Sequence, residues 1–375
     1  MSICLCMIVK NEAHVIESTL ENIVSKVTLS YWVISDTGST DETCEKIVTF
    51  FRVKNIPGEL VKHAWKDFAY NRTKALECAF GKTDYLMVFD ADDSIVGNID
   101  MPILTEDIYV APFDQYVSYL RPLFINNRKR WHYTGVLHEY LDCDEKRNKV
   151  LLKGNYYIFS GRTGSRNKNP NKYIDDAKVL MNAFHSEPRK NLKNRYAFYC
   201  AQSLLDAKKY NHSIEWYKVC LSQSTWDQER YCSCIQIGNI YAFQHNMLMA
   251  QYYWKKSIEC DPQRIEGVVL LAKYFFNQGK YAWVNQFYHR YKNYKCYINK
   301  LFLNKSLYYY ELEFLNALSA WHVKDPSGYD CCKTIILKHK NRTYVDTCIN
   351  QLKHYKKDND TIFLQFLKKQ CEIIV

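Results

Sequence analysis

Asp90 and Asp92 stand two residues apart at the end of an apolar run, Tyr85 to Phe89. Extended backbone at that spacing points both carboxylates the same way. Two hard oxygen donors on one side can hold a divalent cation and leave positions for water and substrate phosphates. Such a cation acts as a Lewis acid on a diphosphate leaving group. A lone Asp-x-Asp is a common surface pattern, but here two other apolar runs end in the same polar fashion. Ile3 to Val9 leads into Lys10-Asn11-Glu12, and Tyr31 to Ser35 leads into Asp36-Thr37-Gly38-Ser39-Thr40-Asp41. Three runs that each end in carboxylates, hydroxyls or a glycine make a site. Thr40 or Ser39 is also placed to cap a helix opening at Asp41-Glu42, leaving backbone N–H groups for a ligand oxygen.

The three runs read as buried strands, and amphipathic stretches near 14–25, 41–53 and 69–80 separate them as helices. That alternation predicts an α/β sheet with parallel strands, and in such sheets ligands bind outside the carboxyl ends of the strands. From about residue 173 the apolar period is helical throughout. Aligning Ala201, Gly238 and Ala272 brings Leu204, Tyr241 and Phe275 into register, then Ser213, Ala250 and Val284, then Tyr217, Trp254 and Tyr288. Small residues at two fixed places with aromatics between them resemble the tetratricopeptide repeat.

Composition narrows the class. The 375 residues are 47% hydrophobic and 24% charged with only 12 Gly and 8 Pro, a folded chain of two or three domains. The formal charge of +11 suits polyanionic ligands without choosing among them. Because no nucleic-acid-binding module or dominant basic block accompanies it, nucleic acid is not expected as a partner. No window of about 18 apolar residues predicts a membrane span, and the N-terminal run lacks the flanks of a signal peptide. Fifteen cysteines, an odd count with no zinc-knuckle spacing, are expected as free thiols, which places the chain in a reducing cytoplasm, a host's if the AT-rich style of composition is viral.

Read in order, the motifs resemble a known family. Cys6-Met7-Ile8-Val9-Lys10-Asn11-Glu12, Asp36-Thr37-Gly38-Ser39-Thr40-Asp41, Trp65-Lys66-Asp67-Phe68-Ala69-Tyr70-Asn71-Arg72 and Phe89-Asp90-Ala91-Asp92-Asp93 are similar to family-2 glycosyltransferases of the GT-A fold. The resemblance continues through Trp131 to Leu141, Ser160 to Arg166 and Asn194 to Ser203, and points to the branch with C-terminal tetratricopeptide-like repeats. It implies a nucleotide-sugar donor, usually a UDP-sugar, a hexosyltransferase-like activity and inversion at the anomeric carbon. Under it Asp92 binds the metal, with Asp90 beside it on the ribose or the metal. Val9, Asn11 and Glu12 line the nucleoside pocket, and Asp36 contacts base or ribose. Thr37 stands where many relatives carry a second acid, so its contact to the base would be a hydroxyl.

Asn71 and Arg72 open the helix before the third strand, where an arginine can pair with a phosphate through two parallel hydrogen bonds; the same arginine could instead solvate a helix surface. Inverting transfer needs a carboxylate or imidazole within reach of the acceptor nucleophile, and Glu139 is the first choice for that base, with Asp93 in reserve. His138 would be a third metal ligand or a diphosphate contact, and an imidazole ligand favours manganese over magnesium. The pair could equally be a strand histidine beside a surface charge. Gly161 to Lys172 fits a loop closing over the diphosphate with Arg162 and Arg166 as clamps, and a flexible linker has the same composition.

The expected architecture is therefore a GT-A, Rossmann-like α/β domain over 1–172 followed by a helical repeat domain over 173–375. The expected activity is metal-dependent, inverting glycosyl transfer to a protein or glycan acceptor, and the repeats would serve a protein partner or a homodimer. The competing reading is an inactive nucleotide-binding scaffold.

Overall fold

The computed structural model describes residues 1–114, 117–161, 163–296, 300–339 and 341–355. Its first compact unit runs from Met1 to Ala250, with a returning segment that ends at Leu303; the second comprises Gln251–Cys296 and the chain from Asn304 onward. The boundary expected at 172 does not coincide with this division, because four helices beyond it belong to the first unit.

The first unit is built on strands β1 (Ile3–Val9), β2 (Tyr31–Asp36), β3 (Gly58–Lys62), β4 (Tyr85–Val88), β5 (Asp93–Ile99), β6 (Ile108–Phe113), β7 (Val117–Asn126), β8 (His132–Thr134), β9 (Tyr140–Asp142), β10 (Lys149–Leu151) and β11 (Gly154–Ser160). Helices α1 (Ile16–Val24), α2 (Thr43–Val53) and α3 (Phe68–Ala79) connect the first four strands. The main sheet runs β3-β2-β1-β4-β7-β6-β11-β5, with β10 paired to β6, while β8 and β9 form a separate hairpin. Its first four strands are parallel, and β7 joins β4 antiparallel. The sheet is thus mixed where a parallel one was expected. An α/β sheet followed by a helical region, resembling the GT-A arrangement, is the fold.

Period-two alternation along β1 explains the layering. Leu5, Met7 and Val9 face Ile16, Leu20 and Ile23 of α1 and Ile47 and Phe51 of α2. Cys4 and Cys6 face Ala75, Leu76 and Ala79 of α3, with Trp131 and Leu141 behind. Apolar groups on both faces are what a central parallel strand requires. Register then sets the site: Val9 lies opposite Asp36, Cys6 opposite Val88, and Asp93 opposite Ser160. The carboxyl ends of β1, β2 and β4 therefore share one edge, and the chain leaving β11 is delivered beside Asp92.

Four more helices complete this unit: α4 (Lys172–Ser186), α5 (Lys190–Asp206), α6 (Tyr210–Gln223) and α7 (Asp227–Phe243). Then come α8 (Met247–Cys260), α9 (Glu266–Asn277), α10 (Tyr281–Tyr291), α11 (Leu312–Ser319), α12 (Ser327–Lys338) and α13 (Arg342–Leu352). Within the second unit α9, α10 and α11 share one apolar cluster around Val268, Ala272, Val284 and Leu315. No described helix is long and apolar enough to cross a membrane.

Candidate active site

The first two strand ends are laced to one another. Asn11, in a left-handed conformation at φ 57°, donates its N–H to Ser39 Oγ at 2.9 Å, and its Oδ1 accepts from Thr40 N at 2.7 Å. Glu12 N donates to Thr43 Oγ1 and Ala13 N to Asp41. Asp41, rather than Ser39 or Thr40, accepts the N–H of Thr43 at the start of α2. The two expected capping residues are occupied by Asn11 instead.

Several residues expected to contact the donor take part in this lacing. Asp36, 3% exposed, accepts the N–H groups of Gly38 and Ser39 and closes its own turn. Thr37 Oγ1 donates to the Val9 carbonyl at 3.0 Å, so both residues are committed to joining β1 and β2. Asn71, with no exposed surface, accepts from Lys66 N and donates to the Ala64 carbonyl, pinning the loop ahead of α3. Short polar side chains at turns satisfy nearby backbone, and that fixes these residues in place at the strand ends where donor contacts were expected.

The DxD pair is also divided. β4 ends at Val88, and a turn in which Asp93 N bonds to the Asp90 carbonyl replaces the extended run. Asp90 and Asp92 consequently have different partners. Asp90 Oδ1 accepts from Arg72 at 2.6 Å and Oδ2 from Arg121 at 2.9 Å. Burial would raise its pKa, but the two guanidinium groups outweigh burial and hold the carboxyl well below its usual range. Arg72 also gives Nε to Glu139 at 2.7 Å, so it bridges two carboxylates at the protein's interior edge and is not a surface residue. Beyond Arg121 lies Asp93, 3.8 Å away and 2% exposed. Burial, then the negative Asp90, raises the Asp93 pKa against the pull of Arg121. Asp93, expected as the reserve base, is thus buried behind Arg121.

Arg121 is the functional candidate that sequence reasoning missed. Its signal was present: one charge in the apolar run Tyr119 to Phe124, which an interior strand tolerates only when the charge is paired.

Asp92 turns the other way. Its Oδ2 accepts Gly164 N at 2.9 Å, while Ser165 N donates to Glu12 Oε1 at 3.1 Å. A Cβ on Gly164 would lie 2.9 Å from Asp92 Oδ2 and 3.3 Å from Glu12 Oε1, so the loop meets both carboxylates at this one residue. Burial first, then Asp92, raises the pKa of Glu12 against the Ser165 hydrogen bond. Glu12 and Asp92 thus bring two hard oxygen donors to one short stretch of loop, a donor chemistry that suits a divalent cation. Asp90, expected beside Asp92 on the metal or the ribose, has both its oxygens on arginines. Among the described residues no three His, Cys, Asp or Glu side chains gather as a metal-ligand group. The ring of His138, expected as a third ligand or a diphosphate contact, stacks on Tyr199 at 4.0 Å and 10°. Crowding, with the positive fields of Arg195, Arg166 and Lys172 behind it, pushes its pKa below the ordinary histidine value although an edge stays open to solvent.

Of the expected clamps, Arg162 lies outside the described residues. Arg166 pairs with Asp176 of α4 and covers the Phe68 ring at 4.9 Å, an arrangement that ties the loop down.

Residues 4–174 match the family model Glycosyl transferase family 2. The chain is thus similar, over its N-terminal part, to a family of sugar-transferring enzymes. No curated protein matches it significantly. Among solved structures, Staphylococcus aureus TarS 1–349 in complex with UDP-GlcNAc aligns at 13% identity and TM-score 0.35, over 67% of this chain and 89% of that one. The mannosyltransferase PcManGT from Pyrobaculum calidifontis, in complex with GDP-Man and Mn2+, aligns at 13% identity and TM-score 0.29, over 72% and 78%.

Proposed function

We propose that the first unit is a metal-dependent, inverting glycosyltransferase that moves a sugar from a nucleotide-sugar donor, a UDP-sugar in the first instance, to a protein or glycan acceptor. The observation that carries this reading is the convergence, at one sheet edge, of the Glu12 and Asp92 pair with the Glu139–Arg72–Asp90–Arg121 array. The family match supplies the reaction class.

In this reading Glu139 is the base. Arg72 holds one of its oxygens, and among the described residues Oε2 accepts no hydrogen bond, which leaves it to take a proton. The acceptor hydroxyl gives its proton to Glu139 as its oxygen bonds to the anomeric carbon, and the bond from that carbon to the nucleoside diphosphate breaks on the opposite face. Asp92 and Glu12 would hold a divalent cation, which supplies positive charge to the departing diphosphate. Arg72 and Arg121 keep Asp90 ionised and Glu139 oriented, so the carboxylates are set before substrate arrives.

The helical hairpins α5/α6 and α9/α10 support the tetratricopeptide-like reading, because Ala201, Ser213, Ala272 and Val284 are all fully buried where close helix approach requires them. Such arrays commonly offer surfaces to proteins or to a second copy of the chain.

The test is a screen of UDP- and GDP-sugars for nucleotide release by the full chain, with manganese or magnesium. Release with at least one donor, abolished by chelation, is expected. Absence of release with every donor while UDP still binds would overturn the enzyme reading and leave the nucleotide-binding scaffold.

A further inference from the structure

The turn that carries Glu139 is held in an unfavourable conformation. Gly135 has φ 111° and His138, which has a Cβ, has φ 54°. A non-glycine residue in the left-handed region persists only where its surroundings impose it.

Those surroundings come from one face of α5. Leu192, Arg195, Tyr196 and Tyr199 fall at i, i+3, i+4 and i+7, a single helical stripe. Arg195 Nε donates to the His138 carbonyl at 2.9 Å. The Arg195 guanidinium lies over the rings of Tyr199 at 4.9 Å and Tyr140 at 5.4 Å, bracketing the turn. Tyr199 stacks flat on the His138 ring, and the Tyr196 hydroxyl accepts from Val136 N at 3.2 Å. A Cβ on Gly135 would stand 3.4 Å from the Glu139 Cα and 3.6 Å from Leu192, so the turn packs in ordinary van der Waals contact with the helix. Its outcome is the Glu139 to Arg72 bond at 2.7 Å.

We propose that α5 is a wall of the active site, with Arg195, Tyr196 and Tyr199 as positioning residues that hold the turn 135–140 so that Glu139 meets the acceptor. The family match ends at 174, before this helix begins. The transferase domain is then complete only with the first helices of the helical region. This inference rests on Glu139 being the base, as proposed above.

The experiment uses the full chain with Arg195→Met, Tyr199→Ala, Tyr199→Phe and Glu139→Gln, read by steady-state nucleotide release and by amide hydrogen exchange over 135–140. Arg195→Met and Tyr199→Ala should lower kcat by up to about 100-fold, the scale of a small misplacement of a reacting group, with the donor KM little changed. Exchange at Val136 to Tyr140 should accelerate while α5 itself stays protected. Tyr199→Phe, which keeps the stack, should restore turnover. In a Glu139→Gln background Arg195→Met should cost nothing further, since both act through one carboxylate; a merely structural role would add. Unchanged exchange in the turn, or intact kcat in both variants while Glu139→Gln is inactive, overturns the inference. If Glu139→Gln itself turns over normally, the base assignment falls, and the exchange data still decide whether α5 holds the turn.

Discussion

In the first unit Arg72 joins Asp90 to Glu139 with side chains 13%, 23% and 11% exposed, and Arg121, 36% exposed, extends the array toward solvent. In the second, Arg264 and Glu266 pair at 2.6 Å with 2% and 5% exposed, and the Tyr308 hydroxyl donates to the same carboxylate at 2.8 Å. The parts are alike, but the surroundings differ. Arg264 and Glu266 are sealed by protein, so their charges can only stabilise or specify local packing. The first array is partly exposed at Asp90 and Arg121 and lies at the strand ends that also carry Glu12 and Asp92. A paired arginine alone does not separate the two clusters; the exposure of one side does.

The largest effect that separates the two should come from Asp92→Ala. Loss of that carboxylate should reduce metal-dependent nucleotide release by about 100-fold or more, the scale of removing a principal electrostatic contact to a developing charge. The thermal midpoint should not move, because among the described residues the Asp92 side chain accepts only from Gly164 N. Retained turnover would shift the cation's place away from the Glu12 and Asp92 pair.

Glu266→Ala should do the reverse. It removes the carboxylate that pairs with Arg264 at 2.6 Å and accepts from Tyr308, and breaking a buried pair of this kind costs about 3–5 kcal/mol. Amide protection in α9 should fall by that amount while nucleotide release persists. If α9 protection survives and turnover falls, the division between a structural and a functional cluster is wrong.

How far the site was legible beforehand follows the same division. β1, β2 and β4 and the helices between them were readable because long apolar runs and 3.6-residue periods are local signals. Glu12, Arg72, Asp92 and Glu139 were readable as chemistry. What could not be read was which of their neighbours the backbone would claim. Asp36, Thr37 and Asn71, expected as ligand contacts, are also turn fasteners in three dimensions. β3, with half-buried, mixed side chains, gives no apolar run. The strands from β5 to β11 pair antiparallel or across long separations, which a pattern along the chain does not encode. The contact between α5 and the Glu139 turn joins residues 57 positions apart, and only the fold brings them together.

A smaller polar cluster in the second unit sharpens the comparison from the exposed end. Asp325 accepts Ser327 N at 2.7 Å at the start of α12 and pairs with His289 at 2.8 Å. Burial works against the charged form, but the Ser327 hydrogen bonds and His289 outweigh it and depress the pKa to about 2. A carboxylate depressed in the folded state contributes stability above its unfolded pKa, about 3.9, and loses it as pH falls through the folded value. The side chain is 22% exposed and open to salt, so the contribution should be about 1 kcal/mol, not the full value of the shift. Asp325→Asn should therefore lower protection in α12 by that amount at pH 5 and above, with the difference from the parent chain shrinking between roughly pH 4 and pH 2. A difference that stays constant across that window would mean that Asp325 acts through its shape as a cap, not through its charge.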